Sequence, residues 1–313
     1  MSTNLKTMTG WIPAILRKQK GSQFLPYLNV KKIASLEQYR QYQADCKPVI
    51  RARELFEKQL LPLEPEEFSF NGYCYVCAGV VDFQVDFVHA YPVAGTLMPN
   101  WRERLLCPGC QLSNRMRATI HILAQNRMPN QASKIYLTEQ VTPLYQWFKR
   151  NFKHLEGSEY LGGSTPLGGC NGQGIRNEDI TRLSFTDKQF DYILSLDVFE
   201  HIPNYLKALE ECYRVLKPGG SFYFSVPFHR VSQENTVRAE VDEKGEVKHL
   251  LPPEYHGNPL SAKGSLCYYL FGWDLLDELR GVGFEEVEAL LYWSADCGYL
   301  GKDQLIFSAV KPG

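Results

Sequence analysis

The chain has 313 residues, of which 44% are hydrophobic, 22% charged and 13% aromatic, enough apolar material for one large domain or two modest ones and too much for disorder. Lysine and arginine total 34 against 35 acidic residues, a net charge of −1, so no overall field draws the molecule onto nucleic acid or an anionic membrane. No apolar run approaches the roughly 20 residues of a bilayer span, and nine cysteines, an odd count without a secretory signal, argue against a disulfide scaffold and for a cytoplasmic protein with reduced thiols.

Residues 1–66 read as a polar, helix-leaning segment. The apolar stretch from Trp11 to Leu16 is short, broken by Pro13 and followed by Arg17, Lys18 and Lys20, unlike a cleavable leader. Ser35 to Tyr42 opens like a capped helix, and Arg51 to Leu61 repeats apolar residues at helical spacing until Pro62 and Pro65 break the pattern. Residues 67–128 read as a small β module, in which Tyr73 to Cys77 and Val80 to Phe87 alternate as strands do.

A cysteine pair bounds this module on each side. Cys74-Tyr-Val-Cys77 and Cys107-Pro-Gly-Cys110 are two C-x-x-C knuckles separated by 29 residues. Two-residue spacing lets a turn aim both thiolates at one tetrahedral ion, and two knuckles complete a closed Zn2+ site whose role is folding. The other reading is a redox pair or simply buried thiols. His89 lies between the knuckles as a further donor, of the kind more often turned to solvent. Arg102, Arg104, Arg115 and Arg117 flank the second knuckle, either as a phosphate-contacting surface or as ion-pair partners, the latter favoured by the near-zero net charge.

From 129 to 313 the rhythm becomes strand, helix, strand, helix. Lys134 to Thr138 reads as a buried strand, Pro143 to Phe152 as a helix, Asp191 to Leu196 as a strand and Tyr205 to Leu216 as an amphipathic helix. Lys217-Pro-Gly-Gly220 stops that helix before a strand from Ser221 to Val226. Residues 229–264 interrupt with a charged, hairpin-like piece around Gly245 and a proline-rich piece from Leu251 to Gly257. A helix from Gly272 to Val282 and a strand from Leu305 to Val310 close the pattern, which is that of a doubly wound α/β sheet.

The run from Asp179 through Phe190-Asp-Tyr-Ile-Leu-Ser-Leu-Asp197-Val-Phe-Glu200-His201-Ile-Pro203, followed by Arg214-Val-Leu-Lys-Pro-Gly-Gly220, resembles the class I S-adenosylmethionine-dependent methyltransferases of the type 11-like group. The resemblance covers about 130 to the C-terminus. Together with the knuckles, the chain looks like a bacterial zinc-containing subgroup of these enzymes acting on small molecules, glycans and peptide natural products. It implies a Rossmann-like sheet preceded by a helical segment and a zinc module, with S-adenosylmethionine as cofactor. Membrane partners are excluded and nucleic acid is disfavoured.

In an open parallel sheet the ligand lies across the carboxyl ends of the strands. Glu139 ends the first strand, Glu159 is expected in the second, Asp179 follows the third and Asp197 ends the fourth, four carboxylates near one edge. By resemblance Glu159, with Tyr160, Leu161 and Gly162 after it, would hold the cofactor's ribose. Asp179 and the Ile180 backbone would lie by the adenine, and Asp197, Val198 and His201 toward the methionine end. The chain departs from the family after the first strand, where Glu139-Gln-Val-Thr142-Pro143 replaces a glycine-rich loop; Thr142 and Pro143 can still cap and start a helix aimed at the site. That departure keeps a non-catalytic relative open.

A carboxylate acceptor needs no base, whereas a hydroxyl must lose a proton. The candidates for that task are His229, just after the fifth strand, and His249, Glu254 and His256 in the insertion, which would cover the site like a lid. Packing is the competing role for each. Cys46, Cys170, Cys212, Cys267 and Cys297 read as ordinary thiols.

Overall fold

The computed structural model describes residues 26–313. The stretch from Trp11 to Leu16 lies outside them. Among the described residues no helix is long and apolar enough to cross a membrane. Where the sequence suggests successive segments 1–66, 67–128 and 129–313, the described chain groups into two interleaved units. A sheet unit takes 31–50, 131–291 and 305–313, and a cysteine unit takes 26–30, 51–130 and 292–304.

The sheet unit is built on seven strands in the order Val30–Ile33, Glu285–Ser294, Tyr299–Val310, Leu216–Ser225, Phe190–Leu196, Lys134–Leu137 and His154–Gly157. The last four are parallel, and Tyr299–Val310 runs antiparallel to Leu216–Ser225. After Lys134–Leu137 the chain first turns to one edge and then returns past it, which creates a switch point where strand ends diverge. Helix Tyr205–Val215 is capped by Asn204, whose side chain accepts from the Lys207 amide, and it buries Tyr205, Ala208, Leu209, Cys212 and Val215 on one face. That face joins Phe222, Phe224, Leu275, Leu276 and Leu279 in the core. Helix Asp274–Val282 ends on Gly283, whose φ of 112° suits a residue without Cβ.

Two expectations are corrected. No sheet strand lies between His154–Gly157 and Phe190–Leu196. The third strand is reduced to isolated bridges, Glu159 with Asn177 and Cys170 with Arg176. Gly162, Gly163, Gly168, Gly169, Gly172 and Gly174 crowd this stretch, and glycine weakens strands by its backbone freedom and missing side chain. Glu159 therefore lies beyond the second strand rather than in it, and Asp179 follows a bridge. The sequence pattern also missed helix Asn114–Arg127, strand Glu285–Ser294 and the hairpin of Tyr255–Asn258 with Ser261–Leu266.

In the cysteine unit Phe68–Cys74, Gly79–Val85 and Leu105–Leu106 form an antiparallel sheet. The apolar rhythm of Asn114–Arg127 is hidden because Arg115, Arg117, Thr119 and His121 are buried alongside Ile120, Ile122 and Leu123. Arg117 explains how: fully buried, it donates to the carbonyls of Leu105, Cys297 and Gly298 and lies over the Phe83 ring. Helix Lys47–Gln59 contributes Glu57, whose carboxylate accepts from Trp293 Nε1 at 2.7 Å and from the Gly301 and Lys302 amides.

Candidate functional site

The four knuckle cysteines come together. Their sulfurs all lie within 4.8 Å of one another, with Cys74 to Cys110 at 3.8 Å and Cys77 to Cys107 at 3.6 Å. A tetrahedral ion with metal–sulfur bonds of about 2.3 Å requires sulfur–sulfur edges of about 3.8 Å, which these two edges match. A Cβ at Gly109 would approach Cys77 Sγ to 3.1 Å, which is why the second knuckle carries glycine there. The flanking arginines are engaged within the unit. Arg104 pairs with Asp86 and holds that carboxyl below its ordinary range, Arg115 and Arg102 both reach Glu103, and Arg117 is spent on carbonyls. His121 stacks on Tyr75 with ring centroids 3.8 Å apart, and burial pushes its pKa down to about 4. His89 takes no part in the cluster.

In the sheet unit the strand register sets the second site. Leu137 lies opposite both Gly157 and Leu194, so Glu139 and Glu159, each two residues further on, and Asp197, three further on, emerge at the same carboxyl edge. Asp197 adopts a left-handed backbone at φ 55°, which Asp tolerates better than most residues, and its Oδ1 accepts from Ser225 Oγ at 2.8 Å. Glu159 Oε1 accepts from the amides of Gln140 at 2.7 Å and Val141 at 3.1 Å, and burial raises its pKa.

The glycine-free turn is thus held by the acid beside it. Gln140 adds a second tie, accepting from the Arg176 amide and donating to the Gly174 carbonyl. Thr142 caps helix Pro143–Asn151 by accepting from the Tyr145 amide, with proline in the first turn, as the sequence suggests. The close approach has moved elsewhere: a Cβ at Gly157 would collide with the Tyr145 ring and meet Glu139 O at 2.9 Å.

The remaining cofactor candidates divide. Leu161 and Gly162 are fixed through the buried Asn177, which accepts from the Leu161 amide and donates to the Gly162 carbonyl. Tyr160 is exposed. Asp179 accepts from Thr181 and Arg182 and closes its own turn, while Ile180 and Val198 pack with the core.

Of the candidate bases, the structure brings His256 and Glu254 together with His201 and separates out His229 and His249. Glu254 Oε1 lies 3.3 Å from His256 Nε2 and its other oxygen 3.0 Å from Arg238. His229 is exposed four residues past strand Leu216–Ser225, and His249 is exposed on the hairpin of Ala239–Val241 with Val247–His249. The neighbouring Cys267 thiol and then the Glu200 carboxylate raise the His256 pKa, and its ring lies between Glu200 and Glu254.

Sequence reasoning missed two members of this group. Glu200 is fully buried, and Cys267, set aside as a bystander, lies 3.9 Å from His201 Nδ1. The signal available was the pairing of Glu200-His201 at a strand end with His256 in the insertion. The insertion itself is pinned to this turn: Tyr268 donates to the Glu200 carbonyl, His201 Nδ1 to the Leu266 carbonyl and Tyr269 Oη to the Pro203 carbonyl.

Comparison with known proteins bears on the same segment. Residues 151–224 match the family described as methyltransferase domain. The chain is 45% identical over 38 residues to the ubiquinone biosynthesis O-methyltransferase of Pseudomonas putida, covering 12% of this chain and 16% of that protein. It is 48% identical over 42 residues to the demethylmenaquinone methyltransferase of Staphylococcus epidermidis, covering 13% and 17%. These matches therefore span about a fifth or less of the relatives' length. An S-adenosylmethionine-dependent methyltransferase structure from Mesorhizobium loti aligns with a TM-score of 0.39 at 16% identity, over 63% of this chain and 100% of that one. The match to a methyltransferase domain thus spans residues 151–224, which lie on a Rossmann-like sheet.

Proposed function

We propose that the protein is an S-adenosylmethionine-dependent methyltransferase acting on a hydroxyl or carboxylate oxygen of a small molecule, sugar or peptide-derived natural product. The observation that carries this reading is the register that brings Glu139, Glu159 and Asp197 to one strand edge within and beside the matched domain. Glu159, with one oxygen committed to the turn, offers the other to a ribose hydroxyl, and Asp197 bears on the methionine end. The cofactor supplies an activated methyl group when bound. The protein's work is to align the acceptor and, for a hydroxyl, to remove its proton; His229, exposed four residues past strand Leu216–Ser225, suits that task, whereas His256 is engaged between Glu200 and Glu254.

Cys74, Cys77, Cys107 and Cys110 hold a structural Zn2+ in the same reading, since four sulfurs leave no open position for substrate. The engagement of the four arginines within their own unit favours a small acceptor over RNA. A second reading, a binding subunit without turnover, draws on the glycine-free turn fastened by Glu159. Calorimetric titration of the full chain with S-adenosylmethionine separates them from an empty fold: heat of binding is expected, and no heat at millimolar ligand removes the transferase. Incubation with methyl-labelled cofactor and fractionated extract of the source organism then separates turnover from binding, because only a transferase labels a fraction.

A further inference from the structure

His201, His256 and Cys267 each offer a donor atom, and these atoms all lie within 4.8 Å of one another. Glu200 Oε1 adds a fourth, 3.6 Å from His201 Nε2 and 3.4 Å from His256 Nδ1. Glu200 is 0% exposed and neither of its oxygens has a hydrogen-bond partner. A buried carboxylate in that condition is costly, and the donors around it stand too far off for good hydrogen bonds yet converge as ligands do around a common centre.

The outer contacts point the same way. His201 Nδ1 donates to the Leu266 carbonyl at 2.8 Å, which fixes the tautomer and leaves the Nε2 lone pair turned toward Glu200. Glu254 faces His256 Nε2 at 3.3 Å and leaves Nδ1 inward. An imidazole held from behind by a carbonyl or a carboxylate is the usual support of a metal-ligating histidine.

We propose that His201, His256, Cys267 and Glu200 hold a divalent transition-metal ion of the zinc type, distinct from the four-cysteine cluster. Two imidazoles, a thiolate and a carboxylate form a borderline-soft set that favours zinc-like ions over magnesium or calcium, and the two anionic ligands balance a dication. Donors in such a shell stand about 3.5 Å apart, so the cluster has to contract by roughly 1 Å around the ion. Glu200 and His201 come from the turn after strand Phe190–Leu196, and His256 and Cys267 from the insertion. The ion is therefore a clasp that fastens the insertion to the strand edge. Its consequence for methyl transfer rests on the function proposed above; its existence does not.

The test is a metal count on the full chain after equilibration with Zn2+ and dialysis, by elemental analysis, with near-UV circular dichroism to confirm folding. Two ions per chain are expected, falling to one in His256→Ala and in Cys267→Ser. Limited proteolysis should also cut the hairpin of residues 239–249 at least tenfold faster in both variants. One ion per chain in the parent protein, or two retained in both variants, overturns the proposal. Should Cys267→Ser fail to fold, His256→Ala decides alone, its residue being partly exposed. The count needs neither cofactor nor acceptor, so it fails or succeeds separately from the transferase reading.

Discussion

Two buried glutamates, one in each unit, have the same chemistry and opposite surroundings. Glu57 is 2% exposed and its carboxylate accepts from an indole and two backbone amides. Glu200 is 0% exposed and accepts from nothing. Burial raises the pKa of both, so the difference lies in what each charge is for. In the cysteine unit buried charge is construction material: Glu57 gathers the 301–302 turn, and Arg117 gathers three carbonyls. At the sheet's strand edge a charge kept without donors is available to something that binds.

The largest effect expected from this contrast is loss of the Zn2+ proposed for the cysteine unit. Structural tetrathiolate sites contribute roughly 10 kcal/mol or more to folding, and Cys107 is fully buried. Cys107→Ser, or prolonged chelation of the parent chain, is expected to abolish the near-UV dichroism of this unit and leave poorly soluble protein. A metal-free chain that melts as the parent does would show that the unit stands on Glu57 and Arg117 alone.

Replacing the two glutamates tests the comparison directly. Glu57→Leu strands three N–H donors in an apolar interior at 1–3 kcal/mol each, so a loss of about 4 kcal/mol in denaturant-measured stability is expected. Glu200→Leu in metal-stripped protein removes a charge that has no donors, and a change between zero and a gain of about 1 kcal/mol is expected. Equal losses at both sites would erase the distinction drawn between them.

The sequence disclosed the parts of each unit whose chemistry is local. The clustering of the four knuckle cysteines follows from spacing within two turns, and the caps at Ser35 and Thr142 follow from side chains that reach their own helix. Strand Phe190–Leu196 and helix Tyr205–Val215 carry apolar periods that only one geometry satisfies. What stayed hidden depends on distant partners. Helix Asn114–Arg127 looks polar because the hydrogen-bond partners that let Arg117 be buried lie 180 and 181 positions away. Cys267 is an unremarked thiol until the insertion folds back 66 residues to His201. The third strand expected ahead of Asp179 falls in a glycine-rich stretch, where backbone freedom leaves only isolated bridges.

A pH titration of stability probes the cysteine unit from a third side. His121 is held neutral, its pKa lowered from 6.5 to about 4 by burial. The unfolded chain takes up a proton as pH falls below about 6.5 while the folded chain does not, so stability is full above that pH. It is lost progressively down to about pH 4, by about 3 kcal/mol. His121→Phe keeps an aromatic ring against Tyr75 and is expected to flatten that part of the profile relative to the parent, read by urea unfolding at stepped pH. An unchanged slope would transfer the acid sensitivity to protonation of the four clustered cysteines.

The smallest effect belongs to the sheet unit's outermost candidate. His249 is exposed at the end of a three-residue strand paired to Ala239–Val241, and the surface substitution His249→Ala is expected to alter stability by less than about 0.5 kcal/mol. Cofactor affinity by calorimetry should also be unchanged, because Glu139, Glu159 and Asp197 lie on the strand edge. The informative measurement is label transfer to whichever acceptor fraction the parent protein modifies. Transfer at parental rate leaves the hairpin a cover. Transfer lost while cofactor heat and melting persist would mean that the exposed hairpin reaches the acceptor. The working part of the sheet unit would then extend from its buried, unpartnered glutamate to a histidine now turned to solvent.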